Sequence, residues 1–79
     1  MGRIQFTLAK TLNNLNISPY RFSVLSTVRS NTILDMVNNQ SSRLNISTLE
    51  LIITTLNKIA DERKLDHTYD ISDVFIYVD

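Results

Sequence analysis

Apolar residues recur at helical spacing through the first 60 positions of the chain, and this pattern predicts four short helices. In the first of them, Ile4, Leu8, Leu12 and Leu15 form one stripe of an amphipathic helix. Asn16 follows at the position where a residue in the left-handed conformation often ends a helix. The sequence therefore predicts that the first helix runs from about residue 4 to residue 15.

The second predicted helix begins with a strong capping signal. Ser18 suits the N-cap, and Pro19 suits the first helical position, where no amide donor is needed. Phe22 would face the core, together with either Leu25 or Ser26. A break in the helical pattern is required at about residues 26–29, although no glycine marks it.

The third predicted helix is capped by Arg29 or Ser30 and precedes a polar stretch. Residues 38–43 contain only polar side chains and are predicted to form a loop. The apolar positions of this helix are Ile33, Met36 and Val37.

The fourth predicted helix has the strongest amphipathic pattern in the chain. Ser47 and Glu50 have the spacing of a capping box, and Ile46 and Leu51 have that of a hydrophobic staple. The charged residues 60–70 are expected to end this helix and form an exposed connection. Its apolar stripe consists of Leu49, Ile52, Ile53, Leu56 and Ile59.

The C-terminal residues 71–79 allow two interpretations. Ser72 and Asp73 could begin a short fifth helix, whereas residues 74–78 have the composition of a strand. This apolar tail either closes the core or leaves Phe75 or Tyr77 exposed for a partner subunit.

The length and composition indicate one small domain over residues 1–79 that is held together by packing alone. The 79 residues include no cysteine, one glycine and one proline, so a disulfide framework, a thiolate zinc site and a glycine-rich phosphate loop are excluded. No apolar run approaches the roughly 20 residues that span a bilayer, and the N-terminal segment lacks the pattern of a signal peptide. We therefore expect a cytoplasmic protein with no membrane contact and no cofactor.

The net charge of zero hides an uneven distribution of charge along the chain. Residues 1–45 carry five basic side chains and one carboxylate, which gives this half a net charge of +4. Residues 46–79 carry three basic and seven acidic side chains, which gives −4. Such asymmetry suggests that the first half faces a polyanion.

Residues 17–37 resemble the helix-turn-helix of the phage Cro/repressor (XRE-type) family, and the wider resemblance covers about residues 4–60. The resemblance implies an all-α, compact bundle of four or five short helices, a lambda repressor-like DNA-binding domain with its helix-turn-helix at about residues 18–37. Three positions depart from the family pattern. Thr27 stands where the family has glycine in the turn, and Arg29 stands where it has a serine cap. Asp35 lies in the recognition helix, where a basic or neutral residue is more usual. The matching positions are Phe22, the small Ser23, Val28 after the turn, the run Asn31, Thr32 and Ile33, and Met36.

The resemblance also implies a set of DNA-binding side chains in and around the recognition helix. Asn31 is suited to adenine, Arg29 to guanine, and Asp35 to the amino group of cytosine. Phosphate contacts are expected from Tyr20 and Arg21 at the start of the second helix and from the loop after the third. The competing interpretation is ordinary capping and solvated surface, with Tyr20 packed. The complete candidate set is Tyr20, Arg21, Arg29, Ser30, Asn31, Thr32, Asp35, Gln40, Ser41 and Arg43.

Two functions from different classes are consistent with these features. The first is a sequence-specific transcriptional regulator, a repressor of phage, plasmid or bacterial origin that binds double-stranded operator DNA as a homodimer. The alternative is a module of the same fold that binds a protein, as a phage-type inhibitor or antirepressor does; Asp35 favours it. Because the sequence offers no nucleophile–base pair and no ligand cluster, we do not expect an enzyme or a metal protein.

Overall fold

The described part of the chain is mostly α-helical, with a small two-stranded sheet that joins its two ends. The computed structural model describes residues 2–40 and 43–79. None of the helices in these ranges has the length and apolar character required to cross a membrane. In chain order the elements are β1 (Arg3–Phe6), α1 (Leu8–Leu15), α2 (Pro19–Ser26), α3 (Ser30–Val37), α4 (Ile46–Glu62), a short 3-10 turn (Ile71–Asp73) and β2 (Phe75–Val78).

The prediction of an all-α domain is wrong at the N-terminus, where residues 3–6 form a strand. Ile4 was expected to begin the stripe of the first helix, but it lies in β1, opposite Tyr77 of β2, and is exposed. Helix α1 begins only at Leu8. Antiparallel pairing with β2 satisfies the backbone of residues 3–6 and brings the ring of Phe6 against that of Phe75, and this long-range contact overrides the local helical spacing.

The C-terminal tail combines both interpretations that its sequence allowed. A single 3-10 turn at Ile71–Asp73 stands where a fifth helix was considered, and Phe75–Val78 forms β2. Val74, between these two elements, is fully buried, so the tail closes the core. The rings of Phe6 and Phe75 meet edge to face with their centroids 6.1 Å apart, whereas the side chain of Tyr77 is exposed.

The core contains the apolar positions that the helical stripes predicted. Phe22 is fully buried in α2, and Ser26 rather than Leu25 shares its inward face. Val28 is buried directly after α2, as expected of the apolar residue that follows the turn. The buried cluster consists of Leu8, Leu12, Leu15, Phe22, Val28, Ile33, Met36, Ile52, Leu56, Ile59, Ala60, Tyr69 and Val74.

The predicted capping box at the start of α4 is wrong. The N-cap is Asn45, whose side-chain oxygen accepts a hydrogen bond of 2.8 Å from the amide of Ser47, so Ser47 already lies inside the helix. The expected staple is absent as well, because Ile46 and Leu51 are both exposed. Asparagine is as good an N-cap as serine, so the helix begins after Asn45, two residues before the predicted cap at Ser47.

Side-chain hydrogen bonds attach the C-terminal segment to the helices. The hydroxyl groups of Thr7 and Thr11 donate to the carbonyl oxygens of Ser72 and Asp73, each over 2.7 Å. Asn57 of α4 both donates to and accepts from the backbone of the residue at position 69, at 3.0 and 2.7 Å. These bonds hold the 3-10 turn against α1 and the connection after α4 against that helix.

One of these C-terminal contacts makes stability depend on pH. The carboxylate of Asp70 accepts hydrogen bonds from the hydroxyl and the amide of Ser72, at 2.7 and 3.0 Å. These bonds lower the pKa of Asp70 below its usual value of 3.8, and the charge of His67 adds to the effect. Since the folded-state pKa is the lower one, the ionised carboxylate stabilises the fold above pH 3.8. This contribution is lost as the pH falls through the folded-state pKa.

We therefore expect the stability difference between the wild type and Asp70→Asn to depend on pH. Asparagine keeps an oxygen that can cap the turn but does not titrate. The wild type should be the more stable of the two at about pH 6, and the difference should shrink at about pH 3. Urea unfolding at both pH values measures it, with Asp66→Asn as a control for the loss of an exposed carboxylate. A difference that is unchanged at acid pH would contradict the prediction.

Candidate nucleic-acid interface

Helices α2 and α3 are joined by three residues, and the geometry of this connection is well defined. Helix α2 ends at Ser26, and Thr27 adopts the left-handed conformation with φ of 63°. The hydroxyl oxygen of Ser26 accepts a 3.3 Å hydrogen bond from the amide of Val28, whose side chain is buried. Arg29 then stands at the N-cap position, so α3 begins at Ser30, and Arg29 is the one used of the two caps that the sequence allowed.

Small and apolar side chains allow α2 and α3 to pack closely. Ser23 is buried, and its hydroxyl group donates to the carbonyl oxygen of Tyr20 over 2.6 Å, so this polar atom is satisfied within its own helix. Phe22 from α2 and Ile33 and Met36 from α3 belong to one core cluster, each with no exposed surface. The position of α3 is therefore determined by the packing of its inner face.

The outer face of α3 is exposed and mostly polar. Successive residues of an α-helix are about 100° apart, so Asn31, Asp35 and Asn38 lie opposite Ile33, and Leu34 lies at the edge of this outer face. All four of these side chains are exposed. Ser30 and Thr32 lie at the flanks of the helix and are half-buried. Asn31 and Asp35, which the sequence singled out, are thus neighbours at i and i+4 on the exposed face.

The N-terminus of α3 has no side-chain cap. The side chain of Arg29 makes no capping hydrogen bond with the helix. The first amides of an α-helix have no intrahelical partner and carry a partial positive charge, which favours contact with an anion. The start of α2 differs, because Ser18 accepts a 3.1 Å bond from the amide of Arg21.

Exposed basic side chains precede and follow α3 in the chain. Arg29 stands directly before α3, and Arg43 lies between α3 and α4; both are exposed. Arg21, in the first turn of α2, is also exposed, but it lines a cavity together with Glu62 and Arg63 at the end of α4. Tyr20 and Gln40 are also exposed, which rules out the interpretation of Tyr20 as a packed side chain. The predicted contact at Ser41 lies outside the described residues.

Six of the seven carboxylates of residues 46–79 lie in the last turn of α4 or after it. This helix has 17 residues, which corresponds to a length of about 25 Å. Arg43 lies just before its first turn, whereas Asp61 and Glu62 lie in its last turn. The carboxylates that follow α4 are therefore separated by the length of that helix from the arginine that precedes it.

The C-terminal end of α3 is attached to the sheet. Asn39 has a left-handed backbone with φ of 59°, and its side-chain oxygen accepts a 2.9 Å hydrogen bond from the amide of Phe6 in β1. The amide of Gln40 donates to the carbonyl oxygen of Asp35 over 2.7 Å. The C-terminal end of α3 is thus attached to β1, and together with the buried inner face this gives the outer face a defined orientation relative to the core.

Neither a metal cluster nor a related protein indicates what this surface binds. Within residues 2–40 and 43–79, no three histidine, aspartate or glutamate side chains come together as metal ligands. No protein-family model matches the chain, and no match was found among curated proteins or solved structures. The interpretation of the surface therefore depends on its own geometry and chemistry.

The left-handed turn residue provides a test of the connection between α2 and α3. A β-branched residue with positive φ is strained by about 1–2 kcal/mol, and Thr27 has φ of 63°. Thr27→Gly should relieve this strain, but glycine gives the unfolded chain more conformational entropy to lose on folding. We therefore expect a net gain of about 0.5–1 kcal/mol in the free energy of unfolding. Asn16→Gly is the control, because asparagine tolerates its φ of 57°. A loss of stability in Thr27→Gly would contradict the strained turn.

Proposed function

We propose that this chain is a sequence-specific DNA-binding transcriptional regulator, a repressor with a lambda repressor-like helix-turn-helix formed by α2 and α3. The observation that carries the proposal is the outer face of α3, which is exposed, backed by a buried inner face, and preceded and followed in the chain by the exposed residues Arg29 and Arg43. A helix with a polar outer face and basic surroundings has the shape and charge that the major groove accepts.

Within this proposal, the outer face of α3 recognises base edges. Asn31 lies in the first turn, where an amide side chain can bind adenine through two hydrogen bonds. Asp35 is one turn further along, and a carboxylate in the groove can accept a bond from the amino group of cytosine. Arg29 is suited to guanine. Ser30 and Thr32, at the flanks of the helix, are positioned for contacts with the groove wall.

The same proposal assigns phosphate contacts to the residues on both sides of α3. Arg21 and Tyr20 lie in the first turn of α2, and Gln40, Ser41 and Arg43 lie between α3 and α4 in the sequence. Phosphate contacts orient a protein on the duplex without selecting a sequence. A single module of this size covers a limited stretch of DNA, so we propose a homodimer on a palindromic operator with half-sites about 34 Å apart.

Fluorescence anisotropy with a labelled duplex of random sequence tests DNA binding directly. We expect binding at micromolar protein in low salt, with log Kd changing linearly with log salt concentration. No binding of the random duplex at low ionic strength would contradict the proposal.

Arg43→Ala tests the phosphate contact in that assay. The substitution should weaken binding to every duplex by the same factor. It should also reduce the slope of log Kd against log salt concentration by about 0.9, because one phosphate contact fewer releases counterions. The melting temperature should change little, since Arg43 is exposed. Lys10→Ala removes one exposed cation from α1 and is the control. An equal reduction of the slope in both variants would contradict a specific role for Arg43.

The alternative proposal, a protein-binding module of this fold, is favoured by one observation. Asp35 is exposed on the outer face of α3, where a carboxylate repels phosphate unless it pairs with a donor. Under this alternative, the random duplex does not bind at low ionic strength, and a protein co-purifies with the chain. Asp35→Asn separates the two cases: it should weaken the protein complex in one and leave non-specific DNA binding intact or stronger in the other.

A further inference from the structure

The outer face of α3 includes one large apolar side chain that the core does not use. Leu34 is 43% exposed and lies at the edge of the outer face, with Asn31 and Asn38 as its neighbours at i−3 and i+4. Its neighbours Ile33 and Met36 are fully buried and already fill the inner side of this helix. Leu34 therefore contributes little to the core, and its exposed surface lies among the side chains proposed to contact bases.

The major groove offers one apolar group to such a side chain. Base edges there present hydrogen-bond donors and acceptors, and thymine adds its 5-methyl group. A leucine on the recognition surface cannot satisfy a donor or acceptor and would leave it without water. Contact with a methyl group, in contrast, removes apolar surface of both partners from water.

We propose that Leu34 is a specificity-determining residue that contacts the 5-methyl group of a thymine in the operator half-site. The inference rests on the proposed function and names part of the sequence that α3 recognises. Leu34 is three residues after Asn31, about 4.5 Å along the helix axis, and the base-pair step is about 3.4 Å. The thymine therefore lies within one or two base pairs of the base that Asn31 contacts.

The experiment removes the methyl group without changing any hydrogen-bonding atom. Duplexes that bind the full chain are selected from a randomised library, and each thymine of the selected site is replaced in turn by deoxyuracil. Burial of one methyl group contributes about 0.8 kcal/mol, which corresponds to about a fourfold change in Kd. We expect one thymine in each half-site at which deoxyuracil weakens wild-type binding about fourfold.

Variants of the protein then assign this effect to Leu34. Leu34→Ala should bind the thymine and deoxyuracil duplexes with equal affinity, and Leu34→Gln, which keeps the length of the side chain, should do the same. Leu65→Ala is the matched control, because Leu65 is also a leucine with 43% exposure but lies after α4. This control should retain the fourfold preference for thymine.

The outcomes separate this inference from the proposed function. If the protein selects a site but tolerates deoxyuracil at every thymine, the role of Leu34 is wrong and DNA recognition stands. The role is also wrong if the Leu34 variants retain the preference for thymine. If no duplex is selected and the random duplex does not bind in low salt, the proposed function itself fails.

Discussion

Replacement of Phe22 by alanine is expected to reduce the free energy of unfolding by about 3–5 kcal/mol. Phe22 is fully buried in the one core cluster of the described residues, so the substitution leaves a cavity among α1, α3 and α4 side chains. Domains of this size have a total stability of only about 4–12 kcal/mol. The variant should therefore be largely unfolded or unfold at much lower urea concentration, as circular dichroism can measure.

The control for this prediction lies two residues further along α2. Val24 is in the same helix, but its side chain is exposed, so Val24→Ala should change the stability by less than about 0.5 kcal/mol. Equal effects of the two substitutions would show that the packing around α2 is not as described.

The second large effect is expected at the recognition surface. Asn31→Ala should weaken binding to the selected duplex by about 1–3 kcal/mol, or roughly 5- to 150-fold, because a bidentate contact with one base is lost. Binding to random duplex and the melting temperature should change little, since Asn31 is exposed and outside the core. Selection with the variant should show relaxed preference at one base position.

Asn13→Ala provides the comparison for Asn31→Ala. Asn13 is an exposed asparagine of α1, so its replacement removes the same side chain from a different surface. Unchanged affinities of Asn31→Ala for both selected and random DNA would mean that α3 serves only as part of the scaffold.

The helices of the centre of the chain were predictable because their signals are local. Ser18 and Pro19 determine the start of α2, and the spacing of Ile33 and Met36 determines the inner face of α3. Asn16 ends α1 with φ of 57°, as its position after Leu15 suggested. Each of these features depends on residues within about one helical turn of one another, so the sequence alone was sufficient.

The sheet could not be predicted with the same certainty because its partners are far apart in the chain. Ile4 pairs with Tyr77, and no local pattern in residues 3–6 specifies this contact. Residues 3–6 are equally compatible with an extra helical turn, because Ile4 continues the apolar stripe of the helix that follows. The composition of residues 74–78 indicates a strand, but nothing in the sequence indicates that residues 3–6 pair with it.

The candidate site was predictable in part for a similar reason. The exposed positions of Asn31 and Asp35 follow from helical periodicity once the inner face is known. Leu34 and Asn38 lie on the same face and were missed, although their spacing of three and seven residues from Asn31 was a usable signal. An apolar residue within a helix is ordinarily assigned to the core, and the 43% exposure of Leu34 in the structure places it at the edge of the outer face instead.

The most direct test of the central claim, that α3 binds DNA, is a nuclear magnetic resonance titration of the labelled protein with duplex DNA in low salt. We predict that the largest amide shift changes fall in residues 29–35, with further changes at residues 18–21 and 40–43, and that residues 61–68 change little. Changes confined to residues 61–79, or none at all at millimolar duplex, would contradict the account.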